Sequence, residues 1–333
     1  MSSSKGKGKE AQPATLTPLP GPSSGSANPA ASLSALWAYL LPALNHIVRS
    51  PTNNSDKAPA IDISFYAGIH TACYNYFTSQ SETKSNARNE PSSTSGTDLY
   101  EQLDKYYIDA AREVMLGAPQ DDSTLIHYIV PCFNRFSAGA MSVNRLLNYV
   151  NRHYVKRAVD EDKGWLRLND VLESVAKTIT ADDSREKISE RLKEKRTGEL
   201  MKWGYKVDGS GESMTSAEAC AEAASPPDRI VSVSSLAHRR FRTEVFEPLL
   251  AVPVVKGKKT KNKIPKAAGP APLPKGRLAR AVKELLESKG RDEEERSRLV
   301  RDLAGALRMV GVRPDHPLRK RLDKFIASPT YVG

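Results

Sequence analysis

The chain has little of what most chemistry needs. Its 333 residues hold three cysteines, Cys73, Cys132 and Cys220, spaced too far apart for a paired zinc motif or a disulfide framework. They read as small buried hydrophobes in a reducing compartment. No apolar run reaches the ~18 residues of a membrane-spanning helix. The first 31 residues, rich in Ser, Pro, Gly and Ala, have no apolar core like that of a signal peptide, and they are expected to form a disordered tail. An intracellular protein, cytoplasmic or nuclear or both and without a membrane partner, is the expectation. No glycine-rich phosphate loop, GxSxG, HExxH or CxxC occurs. The six histidines are scattered, and His70, His127 and His153 fall on three different helical segments. Asp121–Asp122 reads as a helix start, where acids complement the dipole. Neither an enzyme nor a bound cofactor or metal is expected.

Charge of one sign is unevenly distributed. The formal net charge is +11. From Leu236 onward there are 24 Lys+Arg against 11 Asp+Glu, a net of +13, which leaves −2 for the first 235 residues. The run "KGKKTKNKIPK" (256–266) carries six lysines and no acid. Such a run can neutralise phosphates, yet it holds no aromatic residue on which bases could stack. A nucleic-acid partner is therefore the minor reading, beside a solvated linker or an import signal.

Strand alternation is also missing; "RIVSVSS" and "LLAVPVV" are the nearest approaches. What is present is helical periodicity. "SLSALWAYLLPALNHIV" holds Ser34 as a candidate N-cap and is expected to bend or divide at Pro42. "ISFYAGIHTACYNYFTS" follows, then a linker from Gln80 to Gly96. Thr97 is expected to cap "DLYEQLDKYYIDAAREVML", whose Leu99, Leu103, Tyr106, Ala110 and Val114 form one stripe. "DDSTLIHYIVPCFNRFSAGA" should break or kink at Pro131, and a separate helix should run from Met141 to Val159. Residues 179–235 read as an insertion: a charged helical stretch, then a small-residue linker, "DGSGESMTSAEACAEAASPPD". Helical order resumes at Leu236, with a basic flexible loop near 254–275. The class is all-α.

Two helices carry more apolar surface than a bundle position needs. In the second, Phe65, Ile69, Ala72 and Tyr76 make a core stripe, and Tyr66, His70, Cys73 and Phe77 make another about 100° around the axis. The second stripe requires a further helix or a partner protein; aromatics on a rigid helix are common interface anchors. On the Met141–Val159 helix, Val143, Leu147, Val150 and Tyr154 face the core, while Arg145, Tyr149, Arg152 and Lys156 lie on another face near Asn144, Asn148 and Asn151. His153, beside Val150, is expected on the core side as a structural histidine.

At these helices the sequence resembles the cullins, the scaffolds of multi-subunit ubiquitin ligases. The resemblance rests on "YNYFTS" (74–79), "LYEQLDKYY" (99–107), "RFS" (135–137) and above all "YVNRHYVKRAVDEDK" (149–163), with a weaker match in "FEPLL" and over Arg277–Val312. It implies cullin-repeat bundles stacked in an elongated array: a first repeat over 32–178 and the start of a second over 236–333. It further implies a non-catalytic scaffold of an SCF-type cullin–RING ubiquitin ligase that binds a Skp-type adaptor and, through it, F-box proteins. The implied adaptor-facing residues are Tyr66, Ala67, His70, Cys73, Asn75, Asn148, Tyr149 and Arg152. His70 stands where the family more usually has tyrosine, and Ala67 where a larger side chain is common. No RING-subunit site is expected within these residues.

Overall fold

The computed structural model describes residues 28–50, 57–86, 96–180, 183–207, 210–252, 276–288 and 293–328. Among them every regular element is helical and none is a strand. The basic run at 256–266 and most of the N-terminal tail lie outside the described residues.

The helices follow in chain order. α1 (Leu33–Val48) is capped by Ser32, whose hydroxyl accepts from the Ala35 amide at 3.2 Å, two residues before the expected cap. α2 (Ile63–Asn86) extends into the expected Gln80–Gly96 linker, and α3 (Thr97–Leu116) begins after Gly96. α4 (Asp122–Leu146), capped by Asp121, runs unbroken through Pro131, as α1 does through Pro42. An interior proline costs about 3 kcal/mol. Each helix buries a largely apolar face, twelve residues in α4 alone, and that packing outweighs the penalty.

The chain turns at Leu147, not at Pro131. Leu147 leaves the helical region with ψ 29°, and a short α5 (Asn148–Val150), a π turn (Asn151–Val155) and α6 (Lys156–Asp160) follow. The expected Met141–Val159 helix is thus the end of α4 joined to a differently phased segment. Asp162, at φ 63°, accepts from the Leu168 and Asn169 amides and so caps α7 (Leu168–Ala176).

α8 (Arg185–Met201) is the charged helix, and α9 (Gly211–Ala224) forms from the supposed small-residue linker. α10 (Val233–Phe241), a second π turn (Arg242–Phe246) and α11 (Glu247–Leu250) come next. α12 (Arg277–Glu287), α13 (Glu293–Met309) and α14 (Pro317–Ile326) complete the fold.

α4 is the central helix, packed against α1, α10, α12 and α13. Gly139 sets the α1–α4 approach: a Cβ there would lie 3.0 Å from the Ile47 carbonyl oxygen. An aromatic cluster joins α3, α4 and α10. Phe133 and Phe136 pack their rings 5.1 and 5.0 Å from Phe241, and Tyr107 lies 6.0 Å from Phe136. Arg240 grips Asp104 with a two-pronged ion pair, fixing α10 on α3.

α9 is held at its C-terminus. Arg239, fully buried, donates to the Ser225 hydroxyl at 2.7 Å and to the Glu222 carbonyl at 3.3 Å. Arg242 reaches the Ala223 carbonyl at 3.3 Å and the Ala224 carbonyl at 3.4 Å. Cations at a helix C-terminus complement its dipole. Ala217, Cys220, Ala221 and Ala223 are buried because small side chains let α9 approach α10 and α13 closely. One continuous apolar core runs from Leu36 to Leu322, so the helices on either side of residues 179–235 share it.

Candidate partner-docking surface

On α2 the buried residues are Phe65, Ile69, Ala72, Cys73, Tyr76 and Phe77, and the outward stripe is Tyr66, His70 and Tyr74. The two stripes expected from the sequence are therefore mixed, since Cys73 and Phe77 belong to the core. Cys73 is 1% exposed, and burial pushes its thiol up to about 12. It offers no surface to a partner, which corrects its place among the adaptor-facing residues.

Tyr149, half-buried on α5, is the hub of the outward face. The His70, Tyr74 and Phe77 rings meet it edge-on, with centroids 5.9, 5.8 and 5.3 Å away. His153 stacks on it at 4.0 Å, with 24° between planes. Edge-to-face and stacked pairs each contribute about 0.5–1.5 kcal/mol beyond area burial. The rings thus hold one another while His70, Tyr74 and His153 keep a face in water; Tyr74 is 50% exposed. Burial, with smaller effects of Tyr74 and Cys73, raises the Tyr149 phenol. Tyr66, 41% exposed, donates to the Arg145 carbonyl at 3.2 Å, in the last turn of α4. Ala67 and Asn75 are exposed on α2, Asn148 is half-buried and Arg152 is exposed.

His153 departs from the reading as a core histidine. The π turn places more residues in a turn than an α-helix does, so the phase slips after Asn151. Tyr154 and Val155 take the buried positions, and His153 rotates out beside Tyr149. Tyr74 was also missed, although Tyr66, His70 and Tyr74 follow one another at four-residue spacing.

Asn144 and Asn151 face inward on function as well as position. The Asn151 amide donates to Asn144 Oδ1 at 2.9 Å. Asn151 Oδ1 accepts from the Val233 amide at 3.0 Å, and Asn144 Oδ1 from the Ser234 amide at 3.1 Å. Together they staple the Leu147 turn and cap α10. Tyr100, buried, both donates to the Val231 carbonyl at 2.9 Å and accepts from its amide at 3.1 Å. The motif that carries the family resemblance therefore ends on an outward ring cluster and an inward polar staple.

Among the described residues no group of three or more His, Cys, Asp or Glu side chains could hold a metal ion. No helix among them is long and apolar enough to cross a membrane.

No family model matches the chain, and no solved structure matches it. Over 141 residues, 39% of its length, the chain is 24% identical to Cell division control protein 53 of Saccharomyces cerevisiae. That stretch covers 17% of the yeast protein, so the likeness is distant and partial.

Proposed function

We propose that this chain is a non-catalytic, cullin-like scaffold segment that docks a Skp-type adaptor and, through it, F-box substrate receptors of an SCF-type ubiquitin ligase. The observation that carries this reading is the outward ring cluster on α2 and α5, centred on Tyr149, with aromatic area exposed on helices that are themselves fixed in the core. The distant likeness to Cell division control protein 53, a yeast cullin, supports it. The docking residues are Tyr66, Ala67, His70, Asn75, Asn148, Tyr149 and Arg152, with Tyr74 and His153 added. The division into a first repeat over 32–178 and the start of a second over 236–333, stacked in an elongated array, is part of the same proposal, as is a cytoplasmic or nuclear location. Neighbouring units of helical arrays bury a continuous core between them, which accords with the core shared here.

The test is titration calorimetry of the chain with the Skp-type adaptor of the same organism. Binding in the nanomolar to low micromolar range is expected. Tyr66→Ala combined with Tyr149→Ala should abolish it while leaving the helical circular-dichroism signal intact. A folded wild-type chain that does not bind would overturn the proposal.

A further inference from the structure

A groove of about 630 Å³ opens beside Tyr66, between the irregular stretch Lys57–Ile61 and the stripe Ala138, Met141, Ser142 and Arg145 of α4. Its walls are fixed. Ala58 and Ile61 pack on the core, and the Tyr66 hydroxyl is bonded to the Arg145 carbonyl. Its surface is apolar at Pro59, Ile61 and Met141, the last 43% exposed. Among the described residues the charged groups lining it are Lys57 and Arg145, both exposed, and none is a carboxylate.

Some cations elsewhere on the molecule are paired with carboxylates. Arg277 and Arg280 pair with Asp122, Arg240 with Asp104 and Arg167 with Asp228. Among the described residues Lys57 and Arg145 have no carboxylate within ion-pair distance, and neither do the exposed Arg152 and Lys156 on the following turns. Asp62, the first acid after Lys57, is engaged with the Ser64 amide at 2.8 Å at the start of α2. An apolar trough with an aromatic edge and two cations that no described carboxylate pairs suits an occupant that is apolar and negatively charged.

We propose that this groove takes an acidic segment of the docking partner, an apolar side chain flanked by aspartate or glutamate. For the partner's identity the inference rests on the adaptor reading above; for its ligand chemistry it stands alone. Lys57 and Arg145 pair with the carboxylates, and the apolar side chain fills the space over Met141 and Pro59. The occupant continues directly onto the Tyr66 edge of the ring cluster.

The experiment uses the full chain and two fluorescein-labelled peptides, one of Glu and Leu, the other with Lys in place of every Glu. Fluorescence anisotropy should show the acidic peptide binding at least tenfold tighter, with affinity falling as salt rises. Lys57→Glu with Arg145→Glu should reverse the preference, and Ser142→Trp, which fills the trough, should remove binding. Lys57→Glu alone, at an exposed position outside any helix, guards against misfolding of the others and should still cost severalfold. Equal binding of the two peptides, or no effect of the charge reversals, would overturn the inference. A parallel titration with the adaptor separates the two readings. Adaptor binding lost with Tyr149→Ala but unchanged by Lys57→Glu/Arg145→Glu sinks the groove alone. Acidic-peptide binding that obeys the charge reversals, without adaptor binding, upholds the groove and sinks the adaptor.

Discussion

Asn151 shows how much one side chain can decide. Its amide ties the end of α4 to the π turn, and its carbonyl oxygen caps α10 across 82 residues of sequence. Asn151→Ala should cost about 2 kcal/mol, a lost cap plus a lost side-chain hydrogen bond, read as a lower urea midpoint with unchanged slope. His238 sits one layer deeper, between α4 and α10, with its Nε2 3.0 Å from the Ser137 hydroxyl. Burial lowers its pKa from 6.5 to about 4, so the folded chain holds it neutral. The unfolded state binds the extra proton between those values. Stability is therefore complete above about pH 6.5 and falls as the pH drops toward 4, by on the order of 3 kcal/mol. Urea unfolding at pH 7.5 and pH 5 should show the loss, and His238→Gln should flatten that part of the profile.

At the scale of elements, α9 carries the lesson of composition. Its Ser, Gly and Ala content reads locally as a linker, and its amphipathic signal is weak because alanine differs little from its neighbours in hydropathy. The helix is specified from outside, by Arg239 and Arg242 at its C-terminus and by the turn after α13. Gly311 in that turn has φ +81°, and a Cβ there would lie 2.5 Å from the Ala224 amide nitrogen. Gly311→Ala should destabilise by more than ~2 kcal/mol, combining left-handed strain with a backbone clash, and hydrogen exchange should show α9 and α13 opening together. The second face of α2 was legible as surplus apolar area, but its membership was not. Cys73 and Phe77 lie near the border of the stripe, and only the direction from which α1 and α5 approach decides that they are core.

For the whole molecule, the shared core makes a claim about cooperativity. Phe133 and Phe136 of the N-terminal helices are covered by Phe241 and Phe246, and α12 and α13 also pack on α4. Residues 28–178 alone would expose that face. We expect such a fragment to bind a hydrophobic dye and to unfold without a sigmoidal transition, whereas the full chain gives one cooperative transition. A fragment that unfolds as sharply as the full chain would show that the N-terminal helices form an independent domain.

The sequence by itself determined the all-α class, the core stripes of α2 and α3 and the stretch of α2 and α5 that bears the aromatic face. These follow from short-range periodicity, since side chains three or four residues apart share a helix face whatever surrounds them. Tertiary structure alone decided the continuity of α4 through Pro131, the turn at Leu147, the outward rotation of His153 and the status of α9 as a core helix. Each of these depends on residues distant in sequence: the packing of α1, α10 and α12 that offsets a proline, the α10 amides that donate to Asn144 and Asn151, and the arginines that close α9. A local pattern states which faces are apolar, and only the folded chain settles which of them meets water.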